Sequence, residues 1–187
     1  GEPVEINPQS DAASKHTMNV NLYFGSSSYG DLVCETRSIE IPVNESVESV
    51  IINELIKGST VSSTEFRAVI NPNTTVVSTS ETGDVLFVTL SQEFLDWSWL
   101  PSSATAQTSL DTVKYTSVYS IVNTIIELGS YSRVQLLVDT DGSGMGQRIR
   151  RSEVGFSGDG ILEPLDRNGD IVLTPSNTMR RIFDSVI

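Results

Sequence analysis

SIVNTIIELGSYSRVQLLVD (Ser120–Asp139) decides the fold. Its first part extends a helical pattern from about Leu110 to Leu128, with Tyr115, Val118, Ile121, Val122 and Ile125 as the buried stripe. Many of these residues are β-branched and only mediocre helix formers, so burial must hold the helix together. Gly129 closes it. Arg133 to Asp139 is almost continuously apolar, the pattern of a central strand covered on both faces.

Upstream, Asp84 to Leu90 and Thr75 to Ser80 are β-branched runs separated by Glu81-Thr82-Gly83, the spacing of a hairpin. Between this hairpin and the first helix lies a connective Ser/Thr/Asn-rich stretch, residues 59–74. In the first helix Asn44 is the expected cap, Val47, Val50, Ile51 and Leu55 share a face, and Lys57-Gly58 marks the stop. Before it come two strands. Met18, Val20, Leu22 and Phe24 alternate with polar residues, and Leu32 to Ile41 follows after a Ser26–Gly30 loop. The order ββαββαβ, with two helices packed on a mixed sheet, predicts a two-layer α+β domain.

Three segments follow from this order: a linker or tether over 1–16, the folded domain over 17–140, and an irregular C-terminal extension over 141–187. In the extension, Ile161–Leu165 and Ile171–Thr174 are expected short strands and Met179–Val186 a final short helix. Gly142-Ser143-Gly144-Met145-Gly146 leads to basic residues with no helix signal, which suggests a mobile loop rather than a phosphate cradle.

Among the 187 residues, 12 basic against 24 acidic side chains give a formal charge of −12. That charge opposes nucleic-acid binding and adsorption to an anionic lipid surface, and points to protein or cation partners. No run approaches the roughly 18 apolar residues of a membrane helix. The chain opens at Gly1 without Met, so a missing signal peptide carries no information. The single Cys34 excludes an intrachain disulfide; its neighbours Leu32, Val33 and Glu35 suggest a strand, where a lone Cys is expected as a small buried hydrophobe, with a reactive or intermolecular thiol as the alternative.

Catalytic chemistry is poorly supplied. His16 is the only imidazole and falls in the expected linker, which leaves no base for a Ser or Cys nucleophile inside the fold. One His and one Cys cannot build a zinc site, and no cofactor motif is present. Asp166, Asn168 and Asp170 occupy positions 1, 3 and 5 of a calcium-loop pattern, but Ile171 and Asn177 stand at positions 6 and 12. Asp139-Thr140-Asp141-Gly142 fails at position 12, where Arg150 stands. Sharp turns are the simpler reading of both.

The best candidate contact surface is Phe94-Leu95-Asp96-Trp97-Ser98-Trp99-Leu100. Its apolar residues either fold back over the core or, if Trp97, Trp99 and Leu100 face solvent, supply interface anchors. The basic run Arg148–Arg151 is a second, weaker candidate.

Several blocks in order resemble the GerMN family of bacterial sporulation and germination proteins: VNLYFG (Val20–Gly25), LVCETRSI (Leu32–Ile39), LIKGS (Leu55–Ser59), DVLFVTLSQEF (Asp84–Phe94), Ser120–Asp139, and ILEPLDRN (Ile161–Asn168). The chain departs from the family at Gly58-Ser59, where Gly-Pro is common, and at Asn71 before Pro72. The resemblance implies a non-enzymatic interaction or scaffold domain of a lipoprotein, held outside the cytoplasmic membrane of a spore-forming bacterium by an N-terminal lipid anchor. It implies envelope or sporulation proteins as partners, and leaves self-association open. The alternative is a cell-wall-binding or weakly hydrolytic envelope protein with paired carboxylates in a groove.

Overall fold

The computed structural model describes residues 15–174. The expected final helix over 179–186 and most of the expected linker lie outside these residues. Strands β1 (Lys15–Gly25) and β2 (Leu32–Pro42) pair antiparallel along their whole length, from Lys15 opposite Pro42 to Gly25 opposite Leu32. Strand β1 therefore reaches two residues before the expected Thr17, and His16 is an exposed strand residue opposite Ile41 rather than part of a linker. Period-2 alternation puts Val20, Leu22, Phe24, Ile39 and Ile41 on the buried face.

The same alternation corrects the expectation for Cys34. It lies on the opposite face with Thr36 and Ser38, all exposed, because the strand's apolar residues alternate with it rather than surround it. Burial in part, and then the nearby Glu127 carboxylate, push its thiol pKa up.

Helix α1 (Val47–Lys57) buries Ile51, Ile52 and Leu55. Its cap is Ser46, whose Oγ accepts from the Ser49 N–H at 3.3 Å, and not Asn44. Asn44 sits in the turn after Pro42, where the Glu45 N–H donates to the Pro42 carbonyl, too early to reach the first helical amides.

The second sheet has the order β3-β4-β5-β6. β3 (Val76–Thr82) and β4 (Val85–Ser91) form the expected hairpin, with Gly83-Asp84 at the tip rather than Glu81-Thr82-Gly83. β5 (Arg133–Asp139) runs parallel to β4, from Arg133 opposite Val85 to Asp139 opposite Ser91. β6 (Gln147–Arg148) pairs with β5 and was not foreseen in the Gly-rich run.

The crossover between β4 and β5 carries α2 (Leu110–Ile126), capped by Ser109. Every α2 residue from Thr116 to Ile125 is buried, not one stripe alone, because the helix packs against β1, β5 and α1 together. Two of its polar side chains bond to the β1 backbone. Ser120 Oγ donates to the Tyr23 carbonyl at 2.6 Å, and Thr124 Oγ1 accepts from the Tyr23 N–H at 3.1 Å. These bonds satisfy the Tyr23 backbone on the edge of β1 away from β2.

The α+β class, the element order and the two packed helices hold as expected, with the strands sorted into two ladders. In the extension, Ile161–Leu165 and Ile171–Thr174 contribute isolated bridges rather than strands: Arg150–Ile161, Val134–Leu165 and Leu32–Val172. Ile149, Val154, Phe156, Leu162, Leu165 and Val172 nevertheless join the core, so this part of the chain is built into the domain.

Candidate functional site

The segment after β4 folds back on the core. Phe94 is fully buried and meets Trp97 edge-on at 5.8 Å between ring centroids. Asn71 Nδ2 holds the Asp96 carbonyl at 3.0 Å, and the Leu100 N–H closes onto the Trp97 carbonyl. Trp97 packs on the main core with Lys114 over its ring, whereas Leu100 packs on a satellite cluster of Tyr29, Val69, Ala104 and Val113. Trp97, Trp99 and Leu100 are each half-buried. Both indole N–H groups are buried without a hydrogen-bond partner among the described residues. The segment therefore combines the two readings of the sequence: one side covers the core, the other keeps aromatic surface at the boundary with solvent.

A second constellation is the buried pair Glu35–Arg37 on β2. Arg37 Nε donates to Glu35 at 2.7 Å, and Ser59 Oγ, the Thr60 N–H and Thr60 Oγ1 supply three further donors. The other arm of Arg37 reaches the Glu54 carboxylate at 3.1 Å and the Gly58 carbonyl at 2.9 Å. Burial by itself raises the Glu35 carboxyl, but the bonds from Arg37, Ser59 and Thr60 outweigh it and hold the pKa at about 2. Every oxygen is engaged, so the pair fastens the C-terminal end of α1 to β2 and has no vacancy for a substrate.

Tyr131 makes a further link. Its hydroxyl lies 3.0 Å from Glu48 on α1 and 2.9 Å from Glu81 on β3. Burial first, and then the two carboxylates, raise its pKa. The basic run ends in a similar lock, with the Arg151 guanidinium on the Glu163 carboxylate and on the Ser157 carbonyl.

The two acidic turns differ. At Asp166–Asp170, Asn123 grips the backbone of Asn168 from both sides, donating to its carbonyl at 2.8 Å and accepting its N–H at 2.9 Å. Asn168 Oδ1 accepts the Asp170 N–H, so this is a structural turn. The other turn, at the carboxyl end of β5, borders a cleft of about 440 Å³ lined by Ser91, Glu93, Asp139, Thr140 and Asp141 among others. Asp139 is 8% exposed; its Oδ2 accepts the Gly144 N–H at 2.9 Å, while Oδ1 has no partner among the described residues. Bonds from Ser143, chiefly, hold the Asp141 carboxyl below its usual range. No three His, Cys, Asp or Glu side chains converge as a metal cluster among the described residues. No helix among them is long and apolar enough to cross a membrane.

Sequence reasoning named the tryptophan segment and both turns, but missed the Glu35 network, although Glu-x-Arg on a half-buried strand face was its available signal. The orphaned Asp139 oxygen has no signal in sequence.

The chain is similar in fold to the tandem GerMN domains of the sporulation protein GerM from Bacillus subtilis, with a TM-score of 0.52 and 17% identity over 89% of this chain and 49% of that one. It thus spans about half the length of that tandem structure. The first GerMN domain of the same protein matches with a TM-score of 0.52 and 20% identity, over 80% of this chain and 98% of that one. No curated protein shows significant sequence similarity. Residues 21–141 match the Germane family model, described as sporulation and spore germination. That match runs from β1 through the carboxyl end of β5 and takes in the tryptophan segment, the Glu35 network and Asp139, and the chain belongs to the Germane family of sporulation and spore germination domains.

Proposed function

We propose that this domain is a non-enzymatic interaction module of a sporulation or germination lipoprotein, acting by protein–protein contact in envelope assembly outside the cytoplasmic membrane. The observation that carries the reading is the tryptophan segment. Trp97 and Trp99 are half-buried on a backbone pinned by Phe94 and Asn71, so their aromatic surface is held in place before any partner arrives. Rigid aromatic anchors lose little conformational entropy on binding and dominate interface energetics. The partners that fit are envelope or sporulation proteins, with an N-terminal lipid anchor as the membrane attachment.

Photo-cross-linking from a residue placed at Ser98 in sporulating cells tests the assignment. Discrete protein adducts that weaken in W97A/W99A support it. Adducts to wall glycan alone, with co-sedimentation on purified peptidoglycan, would replace it with the wall-binding alternative.

A further inference from the structure

The turn at the end of β5 has the bond pattern of a calcium loop without its last ligand. Such loops take oxygen from positions 1, 3, 5 and 7, with the seventh contributing its carbonyl, and place Gly at position 6 for a sharp turn. Counting from Asp139, positions 1, 3, 5 and 7 are Asp139, Asp141, Ser143 and Met145, and position 6 is Gly144. Gly144 has a φ of 87°, which side-chain-bearing residues rarely adopt, and its N–H donates to Asp139 Oδ2. The Ser143 N–H donates to Asp141 Oδ1 at 3.0 Å, folding the loop around its two carboxylates. The loop returns closely over the sheet: a Cβ at Gly146 would lie 2.4 Å from Thr89 Oγ1 and 2.8 Å from Leu137 Cβ.

Such a loop could be a turn and no more. What points beyond a turn is Asp139, a residue that lines the cleft and is more than nine-tenths buried, and whose Oδ1 has no hydrogen-bond partner among the described residues. A buried ionised oxygen is costly unless a hydrogen-bond donor or a cation meets it. Arg150, at position 12, carries a cationic side chain with no ligand oxygen and cannot complete the loop. Glu93, beyond the end of β4, lines the wall of the same cleft.

We infer that the Asp139–Met145 loop, opening into the cleft beside Glu93, is a binding site for one calcium ion. With two loop carboxylates and otherwise neutral oxygens, its affinity belongs to the weak class of extracellular calcium modules, a Kd of about 0.1–1 mM.

The test is calorimetric titration of the chelator-treated protein with calcium chloride, compared with magnesium chloride and with the variants D139N, D141N and D166N. The inference expects one saturable calcium site, a higher melting temperature with calcium, and a much weaker response to magnesium, which resists dehydration. D139N and D141N should weaken binding roughly tenfold or more by removing ligand charge, whereas D166N should leave it unchanged. D141N alters an exposed side chain, so it decides the matter even if D139N fails to fold. Absence of a saturable site in the folded protein, equal binding of magnesium, or binding that survives D141N would overturn the inference.

Discussion

Glu35 and Asp139 are both buried carboxylates at strand positions, yet they do opposite things. Glu35 is 6% exposed and surrounded by four donors, one of them a guanidinium that is itself largely buried. Asp139 is 8% exposed and has, among the described residues, one donor for two oxygens. Burial therefore does not identify a site. A saturated buried charge holds the fold together, whereas an unsaturated one is held by the fold in readiness for something else.

The contrast breaks first at Glu35. E35A should destabilise the protein by about 3 kcal/mol, because Arg37 is left buried with half of its counter-charge; chemical denaturation in neutral buffer measures it. The carboxyl is lowered from 4.5 to about 2, so the unfolded chain binds the extra proton between those values. The Glu35 contribution is fully present above pH 4.5 and is lost as pH falls toward 2. Acid titration of the melting temperature should show that loss in the wild type, and a flatter profile in E35Q.

The Asn123 clamp is of intermediate size. N123A strips both bonds from the Asn168 backbone and should cost about 2 kcal/mol, with no effect on calcium binding at the other turn. At Asp139 the sign is expected to reverse. Without calcium, D139N removes an incompletely partnered buried charge and should change stability by less than about 1 kcal/mol, or raise it. A loss as large as that of E35A would erase the distinction between the two carboxylates. The smallest effect belongs to Cys34, whose exposed side chain predicts that C34S stays within about 0.5 kcal/mol of the wild type.

The elements legible in sequence were those whose pattern is local. Alternation from Met18 to Phe24, the apolar run of β5 and the helical stripe around Ile121 each fixed an element. What sequence misjudged depended on long-range neighbours. Ser46 rather than Asn44 caps α1 because the turn after Pro42 sets where the helix starts. The bridges at Leu165 and Val172 form wherever the core offers an edge, which no alternation within five residues can announce. Tryptophan content marked the contact segment, but only packing on Phe94 determined which part of it remains at the surface.

The sequence by itself determined the ββαββαβ order, the α+β class, the acidic surface and the poverty of catalytic groups, because each rests on residue type or on periods of two and 3.6. The tertiary structure alone decided that α2 is buried on every side from Thr116 to Ile125, that Cys34 is exposed, and that Asp139 holds a buried carboxylate oxygen with no donor among the described residues. Those outcomes depend on which distant backbone and side-chain groups arrive to satisfy a polar atom, and spacing along the chain does not encode that arrival.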